Sequence, residues 1–494
     1  MLGWGAVRHE VVNVLGLAAL SGLRSEWTQL TNDSPSHSQS LTYECCELAA
    51  ASLFSKGGKL YVIKIYDDCG LALLWPISVQ RKAFIRVARD LRSGSGEEYG
   101  GPLLRASASD DILRASVHAL MLVKADLFEL AWLDDGSELQ RLVEAVPQPW
   151  LARRAPRRIR AVPGSGGMPR YAIHFAGFAS WNDFIATRHR SVRKHYDHRM
   201  RQLLKEQEKV EFGWCRRIDD AEAVLTWLFA NKRDWAKARG LRTAYLMTHE
   251  LRDFCIAVAH RSDLNTTPLV TYIKVGGKPV AASFNLVGPK VLEFFITTYD
   301  RTFNRYSPGI LLLGYAARWA YENGRDFDMR YLHADYKARW ANYTVVCRRH
   351  VLFLTQGNAA AAVVLAHLAA WKLGGFCLRR LGAIMRLATG LTGASWRTSC
   401  ASARPLAENE REVVGRHGNA FGQLKAMLGG KRRHLVEAAQ PPSGIARLQA
   451  QIEGEVGGSG LDIGHDIGTV EEEHAADRQP AAGAGHQALG RGPG

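Results

Sequence analysis

The segment before Pro308 has residue types suited to binding an anion. Arg301 and Arg305 lie in it, and Ser307 precedes a proline at the first position of a helix. The first amides of a helix have no partner within the helix and attract negative charge. Ser307 and Gly309 would let a phosphate approach the backbone closely. A nucleotide-like ligand is therefore one interpretation of this segment, and an ordinarily capped helix is the other.

A second basic segment lies between residues 188 and 209. It holds eight basic residues, which are Arg188, Arg190, Arg193, Lys194, Arg199, Arg201, Lys205 and Lys209, against Asp197, Glu206 and Glu208. The whole chain has 64 Lys and Arg against 48 Asp and Glu, a net charge of +16. This excess favours an anionic partner such as a phosphate-bearing ligand, an acidic polymer or an acidic membrane face. A solvated helix face explains the segment equally well.

The composition is that of a soluble globular protein with more than one domain. The chain has 494 residues, 47% of them hydrophobic and 23% charged, which is too long for a single core. The eight cysteines are scattered without a CxxC pair or zinc-like spacing. We therefore expect a reduced, cytoplasmic location and no metal.

The first 150 residues have the pattern of a mixed α+β unit. Strands are predicted at 60–66 and 71–79, joined as a hairpin, followed by a helix at 110–123 and a strand at 125–133. Residues 151–170 combine six arginines with prolines and glycines, which is typical of a connection between domains. We expect one strand to pass through this connection.

The second unit has a more regular order of elements. A capping box at Ser180 and Asp183 opens a long helix to about residue 209, and helices follow at 219–239 and 249–260. Alternating apolar residues at 269–275, 279–287 and 290–298 then predict a three-stranded meander. A helix at 308–323 and strands at 327–331 and 345–354 complete the order.

The last part of the chain changes in composition. Residues 358–390 place four basic side chains on an apolar helical body, which fits a packed helix or a helix on a membrane surface. From residue 401, 17 of 94 residues are glycine and Phe421 is the only aromatic. Such a segment cannot bury enough apolar surface to offset its ordering entropy, so we predict a mostly disordered tail.

Several short motifs recur together between about residues 170 and 350. They are Trp181 to Arg193 (WNDFIATRHRSVR), Arg233-Asp234-Trp235 with Gly240, Tyr299-Asp300, Tyr306-Ser307-Pro308-Gly309, Leu311-Leu312-Leu313, Trp319-Ala320 with Gly324, Phe327-Asp328, Tyr336-Lys337 and Trp340-Ala341. The set resembles the GNAT acyltransferases. It is most similar to the CelD/BcsL-type acetyltransferases with a BioF-like acetyltransferase domain, which are related to the tandem FemAB aminoacyltransferases. A fainter match covers residues 10–150, through Glu26-Trp27, Trp75-Pro76 and Tyr99 to Leu104.

The resemblance implies an α+β fold of two tandem GNAT-like units, with mixed, mostly antiparallel sheets flanked by helices. The expected units are a degenerate first domain at 1–155, an acetyltransferase domain at 156–356, a helical segment at 357–400 and the tail at 401–494. The strands at 291–298 and 327–331 would splay apart. Acetyl-CoA or another acyl-CoA would then contact Phe295, Ile296 and Thr297 on the donor strand, and Arg301, Arg305, Ser307 and Gly309 at the phosphates.

The same resemblance names candidates for the chemistry of acyl transfer. Such a site needs a base for the nucleophile, a donor to the thioester oxygen and a proton source for the thiolate. The candidates are Glu293 on the donor strand, Asp328 on its splayed partner, and Tyr299, Tyr336 and Lys337. The chain departs from the family in having one glycine, Gly309, in the phosphate segment. It also has Leu332 and His333 where the relatives carry glycine and an acidic residue.

We therefore expect an acyl-CoA-dependent N- or O-acyltransferase acting on a sugar or a cell-envelope precursor, as the family's link to bacterial exopolysaccharide and cellulose production suggests. One alternative is transfer from aminoacyl-tRNA, with the basic segment contacting the RNA. Another is a non-catalytic scaffold of a polysaccharide synthase. A peripheral contact of the 358–390 segment with the inner membrane face is a further expectation, and no pattern supports DNA binding.

Overall fold

The computed structural model describes residues 7–34, 37–96, 98–153, 167–238 and 244–370. The first half of the protein is here residues 7–153 and the second half is residues 181–340, and each half is followed in the chain by one strand, at 168–173 and 343–353. The sequence predictions for 371–400 and for the tail at 401–494 lie outside the described residues, as do Gly240 and most of the basic connection.

The described strands belong to one sheet that runs through both halves. They are β1 (Arg8–Val14), β2 (Lys59–Asp67), β3 (Gly70–Lys82), β4 (Ile85–Asp90), β5 (Leu103–Leu104), β6 (Leu127–Asp134), β7 (Met168–Ile173), β8 (Val210–Trp214), β9 (Val270–Val275), β10 (Lys278–Val287), β11 (Val291–Tyr299), β12 (Asp326–Tyr331) and β13 (Tyr343–Phe353).

Helices cover both faces of this sheet. They are α1 (Leu17–Ser21), α2 (Arg24–Asn32), α3 (Tyr43–Ser55), α4 (Asp110–Ala119), α5 (Glu138–Ala145), α6 (Trp150–Arg153), α7 (Trp181–Thr187), α8 (Arg190–Glu206), α9 (Ile218–Ala238), α10 (Ala244–Met247), α11 (Glu250–His260), α12 (Pro308–Glu322) and α13 (Asp335–Trp340). A further helical stretch covers residues 358–370. The α+β fold class predicted from the sequence is confirmed.

The order of strands in the sheet is nearly palindromic. It runs β1-β2-β3-β4-β6-β13-β7-β12-β11-β10-β9-β8, with β5 beside β3. Each half contributes an antiparallel meander, β2-β3-β4 or β9-β10-β11, followed by a crossover helix and a strand parallel to the last meander strand. The two parallel pairs are β4 with β6 and β11 with β12. The halves therefore have the same topology, which is the tandem arrangement predicted.

The two halves exchange their last strands at the centre of the sheet. β7 follows the first half in the chain but pairs with β12 of the second half. β13 follows the second half, and its residues Cys347 to Phe353 pair with β6 of the first half. β7 and β13 also pair with each other. The expectation of two units packed against each other is thus replaced by one continuous sheet, because each half completes the hydrogen bonds of the other.

Helices pack against apolar side chains on both faces of the sheet. In the second half, α9 and α11 pack on one face around Phe229 and Phe284, while α8 and α12 pack on the other around Leu312 and Phe327. Residues 358–370 pack Ala361 and Val364 against the first half. This is the packed-helix interpretation of the segment, as far as the described residues reach.

The predicted elements are mostly present, with three corrections. The capping box is confirmed, since Ser180 Oγ accepts the Asp183 N–H at 3.0 Å. The long helix to residue 209 is wrong, because Arg188 is extended and His189 caps a separate helix, α8. Strand β8 at the sheet edge was missed. The loop expected at 299–308 contains a 3₁₀ helix at Arg301–Tyr306.

Candidate functional site

The parallel strands β11 and β12 diverge at the centre of the second half. They pair over Val291–Glu293 and Asp326–Asp328 and then separate, while β11 continues to Tyr299. Between Glu293 and Ile296 the register against β10 shifts by one residue, so β11 carries a bulge at Phe294 and Phe295. The opening predicted between these strands is therefore present, and one edge of β11 faces it.

The first half has the same register but different chemistry at the matching positions. Its parallel pair ends at Arg89 opposite Glu129, as the second pair ends at Glu293 opposite Asp328. Arg89 Nη2 and Glu129 Oε2 lie 2.6 Å apart, so this pair neutralises itself. The second half instead has two carboxylates where its strands separate.

Glu293 is buried and pairs with Arg330 of β12. Their side chains are 5% and 6% exposed, and an Arg330 guanidinium nitrogen donates to Glu293 Oε2. Burial raises the pKa of Glu293 above its usual value, and the positive charge of Arg330 opposes that rise. A carboxylate with a raised pKa is a better proton acceptor near neutral pH than an exposed one. Glu293 is thus a buried carboxylate of raised pKa at the point where the two strands separate.

Asp328 joins the two halves through hydrogen bonds. It is completely buried, accepts the Tyr99 hydroxyl at 3.0 Å and is paired with Arg170, whose Nη2 lies 2.6 Å from Oδ2. Arg170 also contacts Asp134 of β6 at 2.6 Å. The backbone N–H of Arg330 donates a third hydrogen bond to Asp328 at 2.6 Å, so this side chain has a structural role in joining the two halves.

The backbone next to Asp328 has an uncommon conformation. Arg330 has φ +68° and Leu332 has φ +80°, in the left-handed region that non-glycine residues rarely adopt. Each residue in this conformation lowers the stability of a fold by about 1–3 kcal/mol, and such residues cluster at functional sites. The hydrogen bond from Arg330 N to Asp328 stabilises this turn, so the departure from the family's glycine at this point is accommodated.

The remaining catalytic candidates lie around the opening at different depths. Tyr336 on α13 packs in the core of the second half, and burial raises its pKa far above the usual value, which keeps it protonated. Lys337 donates to the Tyr331 carbonyl at 2.9 Å. Tyr299 at the end of β11 packs beside α12, where a Cβ on Gly309 would lie 3.2 Å from its ring. The structure brings Glu293 and Asp328 together and places Tyr299 at the other end of β11.

The cofactor candidates on β11 follow the opening. Phe295 and Thr297 are half-buried and Ile296 is buried. The Arg330 guanidinium carbon lies 5.2 Å from the centre of the Phe295 ring. Thr297 Oγ1 donates to the Ala282 carbonyl of β10 at 3.2 Å, so its side chain does not point along the backbone edge. An extended pantetheine arm would have to use backbone groups of this strand.

The predicted anion segment forms a tighter structure than expected. Ser307 adopts a left-handed conformation, with φ 50°, and Ile310 N donates to its carbonyl at 3.0 Å. Arg301 and Arg305 are exposed. Arg305 lies 3.2 Å from Glu206 and donates to the Tyr306 hydroxyl. A surface ion pair contributes little, so the contact with Glu206 does not prevent Arg305 from meeting an anion beside the start of α12.

The matching opening in the first half is filled by the protein itself. Asp90 at the end of β4 accepts the Ala131 N–H of β6 at 3.2 Å and the Gly101 N–H at 3.0 Å. Gly100 N donates to the Trp132 carbonyl at 3.3 Å. The crossover helix α4 also begins with Asp110 and Asp111, whose charges disfavour a phosphate there. These contacts fill the opening of the first half, whereas the opening in the second half is not filled in this way.

Replacement of Gly100 by alanine should destabilise the protein. A Cβ there would lie 2.9 Å from Asp90 Oδ2 and 3.0 Å from the backbone N and O of Ala131, which cannot move without disturbing β6. We expect a loss of about 1–3 kcal/mol in the free energy of unfolding, measured by urea denaturation. Gly22→Ala is the control, since its nearest contact is 3.4 Å at an ordinary helical φ of −64°. Equal stability of both variants would contradict this.

Three residues of the network were missed by sequence reasoning. Arg330 could have been found from the sequence, because it places a charged side chain inside the mainly apolar strand predicted at residues 327–331. Tyr99 appeared only as part of the fainter match, and Arg170 only at the end of the connection. Neither carries a local signal for a site formed with residues more than 150 positions away.

In the described ranges, no group of three or more His, Cys, Asp or Glu residues is placed to hold a metal ion. Within the same ranges, every helix is too short or too polar to cross a membrane. The membrane contact expected for 358–390 stays a prediction.

Comparison with known proteins gives a family match within the second half. Residues 190–338 match the family described as acetyltransferase (GNAT) domain. Similar solved structures include a conserved protein of unknown function from Bacteroides thetaiotaomicron VPI-5482, with 12% identity over 70% of this chain and 100% of that one and a TM-score of 0.41. Another is L-PGS from Bacillus licheniformis, with 10% identity over 69% and 96% and a TM-score of 0.41.

A tandem GNAT protein of the clavulanic acid biosynthesis pathway shares 10% identity over 71% of this chain and 99% of its own, with a TM-score of 0.35. No curated protein sequence matches the chain. The family match spans β11, α12, β12 and most of α13, which are the elements around the opening. Residues 190–338 thus match the acetyltransferase (GNAT) domain family, and the prediction that the protein is an acyltransferase is confirmed.

Proposed function

We propose that the protein transfers an acyl group from acyl-CoA to an amine or hydroxyl of a sugar or cell-envelope precursor. The observation that carries this proposal is the opening between β11 and β12, with a buried carboxylate of raised pKa at its closed end, inside the segment that matches the acetyltransferase family. The acceptor class rests on the resemblance of residues 170–350 to the CelD/BcsL-type acetyltransferases.

The reaction needs one bond to form and one to break. The acceptor nitrogen or oxygen attacks the thioester carbonyl, and the carbon–sulfur bond breaks as the new bond forms. Glu293 accepts the proton of the acceptor, because its raised pKa suits a base near neutral pH. The departing thiolate takes up the proton that Glu293 accepted and leaves as the CoA thiol, so that Glu293 returns to its ionised form. Arg330 remains charged and holds the Glu293 carboxylate in place.

Calorimetric titration of acetyl-CoA into the full chain tests the donor. Arg305→Ala should weaken binding about ten- to a hundredfold, because it removes one charge-assisted contact to phosphate, worth about 1.5–3 kcal/mol. Arg318→Ala is the matched control, since Arg318 is also an exposed arginine paired with a glutamate, Glu322, on α12, the helix that follows the segment with Arg305. Gly309→Asp should abolish binding by adding a carboxylate at the start of α12.

Equal affinity in the wild type, Arg305→Ala and Gly309→Asp would overturn the phosphate assignment. No binding of any acyl-CoA at millimolar concentration would overturn the donor itself and leave aminoacyl-tRNA as the next donor to test. A screen of amino sugars and sugar hydroxyls, with release of the CoA thiol as the readout, then identifies the acceptor.

A further inference from the structure

We propose that Tyr99 of the first half is a positioning residue for the acyl-transfer site of the second half. The proposal rests on the function proposed above, and it deepens that function by giving the degenerate half a role in the chemistry. The structural basis is a chain of contacts from Tyr99 through Asp328 and Arg330 to Glu293.

Tyr99 is fixed by the first half. Its backbone forms a parallel bridge with Trp132 of β6, and the next two residues are held by β6 and Asp90. Asp90 is itself held by the Trp75 indole N–H at 2.8 Å. The segment from Tyr99 to Gly101 therefore occupies the opening of the first half, at the place where the second half remains open.

The side chain of Tyr99 reaches into the second half. Its hydroxyl donates to Asp328 Oδ1 at 3.0 Å, across 229 positions of sequence. Two guanidinium carbons lie near its ring, at 4.6 Å for Arg170 and 4.2 Å for Arg330. The ring also meets Tyr331 edge-on, and Tyr331 stacks on Trp132 with 3.9 Å between ring centres. Cation–π contacts of this kind are stronger away from water.

Asp328 and the Tyr99 ring together fix the position of the Arg330 backbone and guanidinium group. Asp328 Oδ1 accepts both the Tyr99 hydroxyl and the backbone N–H of Arg330, the residue with φ +68°. This backbone conformation directs the guanidinium towards Glu293, where the ion pair forms. Asp328, 0% exposed, is fully satisfied only when Tyr99 donates.

The charged and polar groups around Glu293 come from both halves. Arg330 is its direct partner, Asp328 and Arg170 act on it at longer range, and Ser38 of the first half donates a hydrogen bond. Without the Tyr99 hydroxyl, Asp328 lacks a donor and competes with Glu293 for the Arg330 guanidinium. The Glu293 carboxylate is then less stabilised, and its pKa rises further.

Tyr99→Phe tests this step, because it removes the hydroxyl and keeps the ring over Arg330. The matched control is Tyr272→Phe on β9, which also removes a phenol hydrogen bond to a carboxylate, that of Glu211, away from the opening. Difference infrared spectra of each protein against its Glu293→Gln form, recorded through a pH titration, report the protonation midpoint of Glu293. This readout needs neither donor nor acceptor.

We expect an upward shift of the midpoint in Tyr99→Phe and none in Tyr272→Phe. With acyl-CoA and an acceptor, Tyr99→Phe should lower kcat about ten- to a hundredfold at neutral pH and move the acidic limb of the kcat profile upwards, at unchanged KM for the donor. Tyr99→Leu, which also removes the ring, should have a larger effect. If Tyr99→Leu does not fold, the Glu293 midpoint measured in Tyr99→Phe is sufficient to test the proposal.

An unchanged Glu293 midpoint in Tyr99→Phe would overturn the proposal whether or not the enzyme turns over. A shifted midpoint in a protein that consumes no acyl-CoA would uphold the positioning role and remove the proposed donor. A loss of stability in both phenylalanine variants without a midpoint shift would show that Tyr99 is only structural, which contradicts the inference.

Discussion

Glu293→Gln is expected to reduce kcat by about a hundred- to ten-thousandfold while acetyl-CoA still binds, since general-base catalysis contributes that much to such reactions. The wild-type rate should fall as the pH drops through the raised pKa of Glu293, because the base must be ionised to accept a proton. The variant should lose this acidic limb. The measurement is the rate of CoA thiol release at pH values from about 5 to about 9.

The same substitution leaves Arg330 buried without its partner, at a cost of about 3–5 kcal/mol in the free energy of unfolding. The double variant Glu293→Gln/Arg330→Met separates the two effects. It replaces the buried charge by an apolar side chain of similar length, so stability should recover while turnover does not. Recovery of both would show that Glu293 acts through stability alone.

Glu129→Gln is the matched control for this experiment. Glu129 occupies the position in the first half that Asp328 occupies in the second, and its partner Arg89 lies opposite it as Glu293 lies opposite Asp328. Because this pair is partly exposed and lies in the filled half, kcat should stay within about twofold of the wild type. A large loss of activity in Glu129→Gln would mean that chemistry takes place in the first half.

The second half expressed alone, as residues 161–494, should not fold. Without the first half, residues Cys347 to Phe353 of β13 lose their partner β6, and Asp328 loses Tyr99. Unpaired strand edges and uncovered charge networks of this kind lead to aggregation. Expression of this fragment should give insoluble protein or protein without a cooperative unfolding transition.

Coexpression with residues 1–160 should restore a soluble complex, because the cut lies in the connection and leaves every described strand intact. The readouts are copurification through a tag on one fragment, circular dichroism and acetyl-CoA binding. A matched cut inside the second half, between Gly276 and Gly277 of the β9–β10 turn, tests whether any two fragments reassemble. Cooperative unfolding of residues 161–494 alone would show that the strand exchange is dispensable.

Local patterns in the sequence predicted the elements of the second half closely. The meander, the helix at Pro308 and the strand at Phe327 each have a clear period and clear end signals, so their bounds agree with the structure to within one or two residues. The break between α7 and α8 was missed because Arg188 and His189 carry no glycine or proline. The extended conformation of Arg188 is held by tertiary bonds to the Trp340 and Ala341 carbonyls.

The site was predictable only in part. Glu293 and Asp328 were named from family motifs, and the parallel pairing of β11 with β12 places them side by side. Their partners Tyr99 and Arg170 come from segments that are distant in sequence, and the pairing depends on the exchange of β7 and β13. A contact between residues so far apart in sequence leaves no local pattern, such as a period, a cap or a turn. It can be recognised only in the assembled sheet.

In this chain, each half of the sheet is completed by the strand that follows the other half. Such an arrangement is typical of the duplication and fusion of a smaller gene. Two identical copies that swapped this strand would make the whole palindromic sheet as a dimer, and joining them requires only a connection after β7, the strand that follows the first half. The two halves now differ at the matching positions. The second half has a pair of carboxylates at its diverging strands, whereas the first half has Arg89 there and fills its own opening with the segment that carries Tyr99.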